Sequence, residues 1–137
     1  MNTRLLLPLI LLLLTTTGAG AQGMMYCDNS RQGVPFAKDP HVVRLQGRYL
    51  MYYSIPPRKG DMTGGWNIGI AESRDLTLWN KVGEITPQPG ADYEKNGLCA
   101  PGALVRDGVV HLFYQTYGNG RKLSLIHISE PTRLRCI

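Results

Sequence analysis

An all-β fold of four-stranded antiparallel sheets follows from three features of the 137-residue sequence. The segment PHVVRLQGRYLMYYS, from Pro40 to Ser54, aligns without a gap with PGALVRDGVVHLFYQ, from Pro101 to Gln115, at an offset of 61 residues. Each copy sets a two-residue turn, Gln46-Gly47 or Asp107-Gly108, between two apolar runs, and Asp-Gly in that place is a strong hairpin signal. The run after each turn is rich in β-branched and aromatic residues and apolar at successive positions, as expected of strands covered on both faces. Recurring hairpins of this kind, with four strands in each ~40 to 60 residues, predict part of a β-propeller; a β-sandwich of the same hairpins is the alternative.

Taken in order, the chain begins with a targeting segment. Arg4 provides a positive start, Leu5 to Leu14 an apolar run, and Ala19-Gly20-Ala21 a small-x-small cleavage site, so residues 1–21 read as a signal peptide. The apolar run is too short for the ~20 residues that cross a bilayer, and no membrane anchor is expected after cleavage. The mature protein is expected to be secreted or periplasmic. Strands are predicted at Val42 to Leu45 and Arg48 to Ser54, followed by a polar loop from Pro56 to Gly64. A third strand from Trp66 to Ala71, a turn at Asp75-Leu76-Thr77 and a fourth strand from Val82 to Ile85 complete one blade. A loop from Thr86 to Gly97 leads to the second copy, whose strands run from Ala103 to Arg106 and from Val109 to about Tyr117.

Residues 22–122 thus hold about one and a half blades, too few for a ring of typically four to eight, which predicts the front piece of a longer propeller. Residues 123–133, LSLIHISEPTR, resemble the translation of an adapter used in preparing DNA sequencing libraries. Residues 123–137 are therefore expected to be foreign to the natural protein; a genuine short strand from Leu123 to Ile128 is the alternative. In either case the second strand of the second copy offers an apolar edge, along which this tail is expected to be poorly placed or to form an improvised strand.

The whole chain carries a formal charge of +5, and residues 22–122 hold 12 Lys and Arg against 9 Asp and Glu. These charges alternate along the chain without a basic run, so no nucleic-acid partner is expected. Cys27 and Cys99 lie in an oxidising compartment, where they either pair or remain two buried thiols. Neither has a Cys or His at metal-ligand spacing, so no metal site and no cofactor are expected.

FAKDPHVVRLQGRYLMYYS resembles the first-blade motif of the five-bladed propeller glycoside hydrolases of families 43 and 117 and the clan that includes family 32. The likeness rests on Asp39-Pro40, Val42-Val43, Gly47, Tyr49 and Tyr53-Ser54. The stretch from Asn67 to Ile85 resembles the clan's third and fourth strands through Ala71, Ser73, Asp75, Leu76 and Trp79, and the segment from Asn96 resembles its second blade. The resemblance implies an enzyme that hydrolyses O-glycosidic bonds in oligo- or polysaccharides, with a carbohydrate as its partner and Asp39 as general base or nucleophile. Such chemistry needs two carboxylates flanking the scissile bond. Asp39 aligns with Ala100 in the second copy, so the strand itself does not demand a carboxylate; a plain turn residue before Pro40 is the other reading. Relatives of family 43 often carry Asp after Ala-Pro at the start of blade two, whereas this chain has Ala100-Pro101-Gly102, which points to a divergent branch.

His41, beside Asp39-Pro40, is a candidate to hydrogen-bond substrate, and Trp66, beside Gly64-Gly65, a candidate to stack on a sugar face; a structural histidine and a packed core ring are the alternatives. Asn96 and Gln115 are weaker candidates of the same kind. Asp92 and Glu94 read as residues of a solvated loop. The expected function is a glycoside hydrolase, truncated and inactive in this form, with a non-catalytic carbohydrate-binding propeller as the alternative.

Overall fold

The computed structural model describes residues 26–60 and 65–117 and the backbone of residues 124–128; the expected signal peptide, part of the Pro56 to Gly64 loop and the end of the chain lie outside the described residues. Strands β1 (Lys38–Leu45), β2 (Arg48–Ile55), β3 (Asn67–Ser73) and β4 (Asn80–Ile85) form an antiparallel meander in that order. Strands β5 (Leu98–Arg106), β6 (Val109–Thr116) and β7 (Ser124–Ile128) form a second antiparallel sheet. The connection between the sheets carries one turn of 3₁₀ helix, Asp92–Glu94. This is the all-β, blade-like architecture expected from the repeat.

The repeat is reproduced in backbone geometry. β2 and β6 coincide at the 61-residue offset. The hairpin turns match too, with φ of 49° and 78° at Gln46-Gly47 and 51° and 74° at Asp107-Gly108, both central residues being left-handed as a type I′ turn requires. β1 starts at Lys38, four residues before the expected Val42, because the strand continues through Asp39-Pro40 as a bulge between Lys38 and His41. β5 is extended in the same way, with its bulge between Cys99 and Gly102.

β2 explains why its apolar residues do not alternate with polar ones. Leu50 and Tyr52 turn into a core shared by the two sheets, with Ile68, Ile70, Ile85, Leu98, Val110, Leu112 and Tyr114, while Met51, Tyr53 and Ile55 turn into a second cluster with Ala71. The residues of each set are two apart, so both faces of one strand are covered. Each fully buried Leu or Ile contributes roughly 1.5 to 3 kcal/mol. Tyr26, Ala37 and Trp79 close the second cluster from outside.

The segment from Tyr26 to Phe36 straps this outer face with polar contacts. The Tyr53 hydroxyl donates to Asp28 Oδ2 at 2.8 Å and lies 2.7 Å from the Tyr26 hydroxyl. Lys81 Nζ lies 2.8 Å from Asp28 Oδ2 and 2.5 Å from Glu84, and Arg31 pairs with Glu84. Tyr53 lies directly over Gly69, where an added Cβ would meet its ring at 2.3 Å.

Two expectations need correction. Glu94 is buried rather than solvated, because its carboxylate accepts from the Tyr114 hydroxyl at 2.5 Å and the Gln88 amide at 2.8 Å. Cys27 and Cys99 are both free thiols, Cys27 being exposed, so no bridge joins the strap to β5. The edge of β6 is occupied by β7, paired from Val110 to Tyr114, which is the strand along this edge that the sequence allowed for.

Candidate active site

β1 and β5, the first strand of each sheet, lie against one another and are the inner strands of the pair, which brings the two bulges together. Asp39 and Ala100, equivalent in the repeat, have φ of 51° and 49° and each precedes a proline. A non-glycine residue in this region is strained, and such strain collects at functional sites. Aspartate tolerates left-handed backbone better than alanine does, yet both bulges exist, so the fold imposes the bend and the carboxylate is an addition to it.

Asp39 is exposed, and its Oδ2 accepts from the hydroxyl of Ser54, at the end of β2, at 3.2 Å. The same Ser54 Oγ accepts from the Ala100 N–H at 2.8 Å. Cys99 lies beside this chain of contacts; burial, and then the negative charge of Asp39, push its thiol pKa up. The thiol is thereby kept protonated and a poor nucleophile at neutral pH.

His41 is exposed on β1, opposite Tyr52 in register and so on the face that packs toward the second sheet. Asp39 and His41 therefore share the bulged end of one inner strand. Trp66 precedes β3, whose first residue, Asn67, pairs with Ile55 beside Ser54, and so lies at the same end of the sheet two strands outward. Its ring is half-buried, edge-on to Phe36 at 5.7 Å and tilted against Tyr117 at 6.1 Å. Its carbonyl accepts from the Leu98 N–H at 2.7 Å, tying the two sheets. Trp66 is thus part of a three-ring row at the junction, with Tyr117 exposed. Gln115 is exposed, opposite Cys99.

Most other described carboxylates are engaged elsewhere. Asp28 and Glu84 belong to the strap, and Glu94 to the buried contact with Tyr114. Glu72 pairs with Arg48 at 2.9 Å. Asp75 caps the β3–β4 turn by accepting from the amides of Thr77 and Leu78, which hold its carboxyl far below the usual range. This turn explains the Ser73, Asp75, Leu76 and Trp79 pattern: Ser73 Oγ accepts from the Leu76 amide, Leu76 is left-handed, and Trp79 donates to its carbonyl. Among the described residues no group of three His, Cys, Asp or Glu is placed to hold a metal ion.

The sequence reading picked out Asp39, His41 and Trp66 but gave Ser54 no role beyond closing a motif. The available signal was that Asp39 and Ser54 change together, to Ala100 and Gln115, between the two copies.

No protein-family model and no curated protein sequence matches the chain. Solved structures do. A family 117 glycoside hydrolase from the marine bacterium Zobellia galactanivorans matches 70% of this chain and 36% of its own, with a TM-score of 0.57 and 22% identity. A family 43 enzyme from Xanthomonas citri in complex with xylose matches 71% of this chain and 30% of its own, at TM-score 0.56 and 14% identity. A glycosyl hydrolase from Bacteroides ovatus matches 69% and 29%, at TM-score 0.56 and 18% identity. The chain therefore has the fold of the β-propeller glycoside hydrolases and spans about a third of the length of these structures.

Proposed function

We propose that this chain is part of an exported glycoside hydrolase in which Asp39 is the catalytic carboxylate. The observation that supports this most is the exposed Asp39 on a strained bulge of an inner strand, where the other copy of the repeat has alanine. The fold is that of glycoside hydrolases, one of which was solved with xylose and with xylotriose. Asp39 would activate water in an inverting reaction or attack the anomeric carbon in a retaining one, opposite an acid ~6.5 to 9.5 Å or ~5 to 5.5 Å away. His41, exposed two residues on, would hydrogen-bond a sugar hydroxyl, and the Trp66 row would border the bound sugar.

The other reading is a non-catalytic carbohydrate-binding propeller; the buried Glu94, committed to Tyr114 and Gln88, does not separate the two. The chain by itself is expected to lack turnover, since the acid partner would come from further blades. The test is hydrolysis of arabinan, xylan, fructan and agar-derived oligosaccharides by the complete propeller and its Asp39→Asn variant. General base assistance is worth ~10²- to 10⁴-fold, and the variant should lose that much in kcat while remaining folded. Wild-type hydrolysis by Asp39→Asn would remove Asp39 from the mechanism, and glycan binding without turnover by the parent would select the binding reading.

A further inference from the structure

We propose that Ser54 is a positioning residue that holds the Asp39 carboxylate in one orientation and couples it to the second sheet, a role that rests on reading Asp39 as the catalytic carboxylate. The side chain of Ser54 is completely buried, at the end of β2 and opposite Lys38. Its oxygen makes two contacts, with Ala100 N at 2.8 Å and Asp39 Oδ2 at 3.2 Å. Donor and acceptor chemistry orders them. An amide N–H only donates and an ionised carboxylate only accepts, so the one proton of the Ser54 hydroxyl goes to Asp39. The direction Ala100 N–H to Ser54 Oγ–H to Asp39 Oδ2 is therefore set.

An exposed aspartate turns readily about its side-chain bonds, and Oδ2 held from beneath leaves Oδ1 as the oxygen for a water or an anomeric carbon. Productive geometry of this kind is worth more than the hydrogen bond alone, because small misplacements of a reacting group cost rate steeply. The second copy of the repeat acts as an internal control. It keeps the bulge, the left-handed residue and the proline, but it has Ala100 for Asp39 and exposed Gln115 for Ser54. The bulge thus forms without a serine at this position, and the buried hydroxyl goes with the carboxylate.

Nitrogen-15 labelling of alanine in the full chain allows the coupling to be read without substrate. The Ala100 amide shift should move when Asp39 is replaced by Asn in the wild type, stay in place when the same replacement is made in Ser54→Ala, and move again when it is made in Ser54→Thr, which keeps the hydroxyl. Should Ser54→Ala fail to fold, Ser54→Gly, which likewise lacks a donor, replaces it with the same two outcomes. An Ala100 amide that does not respond in the wild type, or responds equally in Ser54→Ala, overturns the proposal. In the complete propeller Ser54→Ala should lower kcat by on the order of 10- to 100-fold with KM unchanged, and an unchanged kcat likewise overturns it. Full activity of Asp39→Asn with the Ala100 response intact would overturn the catalytic reading of Asp39 alone, leaving the hydrogen-bond coupling in place.

Discussion

Asp28 shows how a single carboxylate in the strap joins the acid sensitivity of the protein to its fold. Burial opposes its ionisation, but the Lys81 ammonium, the Ser30 hydroxyl and amide and the Tyr53 hydroxyl outweigh burial and hold the carboxyl down to about 2. An unfolded aspartate titrates near ~3.9. The folded state thus favours the ionised form, so the stabilisation is complete above about pH 4 and is lost as pH falls toward 2. Asp28→Asn should be less stable than the wild type by on the order of 1 kcal/mol at neutral pH, and the gap should narrow between pH 4 and 2. Urea unfolding across that range checks the sign, and a gap that stays constant would contradict it. At the candidate site the residue scale separates two kinds of legibility. Asp39 was named by the family resemblance, and its Ala100 equivalent showed only that the strand does not require a carboxylate; the burial of Glu94 had no such signal, since its partners Tyr114 and Gln88 lie 20 and 6 residues away.

At the scale of elements, the two hairpins are the same object with different turn chemistry. Gln46 and Asp107 both occupy the left-handed first position of a type I′ turn, at φ of 49° and 51°. Asp and Asn suit that position through their short polar side chains, and Gln does not. Gln46→Asn should therefore stabilise the protein by about 0.5 to 1 kcal/mol, seen as a rise of roughly 2 to 8 °C in Tm. Asp107→Asn, already relieved of that strain, should change Tm little, and equal shifts at both turns would show that the turn residue is not the cause. The hairpins and the third and fourth strands were readable from local pattern because turn residues and β-rich runs act over a few residues. The early starts of β1 and β5 were not, because a bulge next to proline is stabilised by the neighbouring strand and leaves no local period.

Across the whole molecule, β7 closes the edge of the second sheet by pairing from Val110↔Ile128 to Tyr114↔Ser124. Ending the chain at residue 122 would open the N–H and C=O groups of that side of β6, in a strand with Val110, Leu112 and Tyr114 buried on its inner face. Open apolar edges pair with other chains, so residues 22–122 alone should sediment as oligomers or prove insoluble, more so than the chain that retains β7. A monodisperse monomer with a cooperative thermal transition would instead mark an autonomous domain.

The sequence by itself determined the repeat, the hairpins and the propeller architecture, because each is written in neighbouring residues or in the comparison of two copies 61 residues apart. The tertiary structure decided which polar groups are spent on holding the fold. Pairing of β1 with β2 brings Ser54 to Asp39, stacking of the two sheets brings it to Ala100, and the folding back of the connecting loop and of the strap carries Glu94 to Tyr114 and Asp28 to Tyr53. Those partners are remote in sequence, and their hydrogen bonds depend on strand register and sheet separation, which no local pattern encodes.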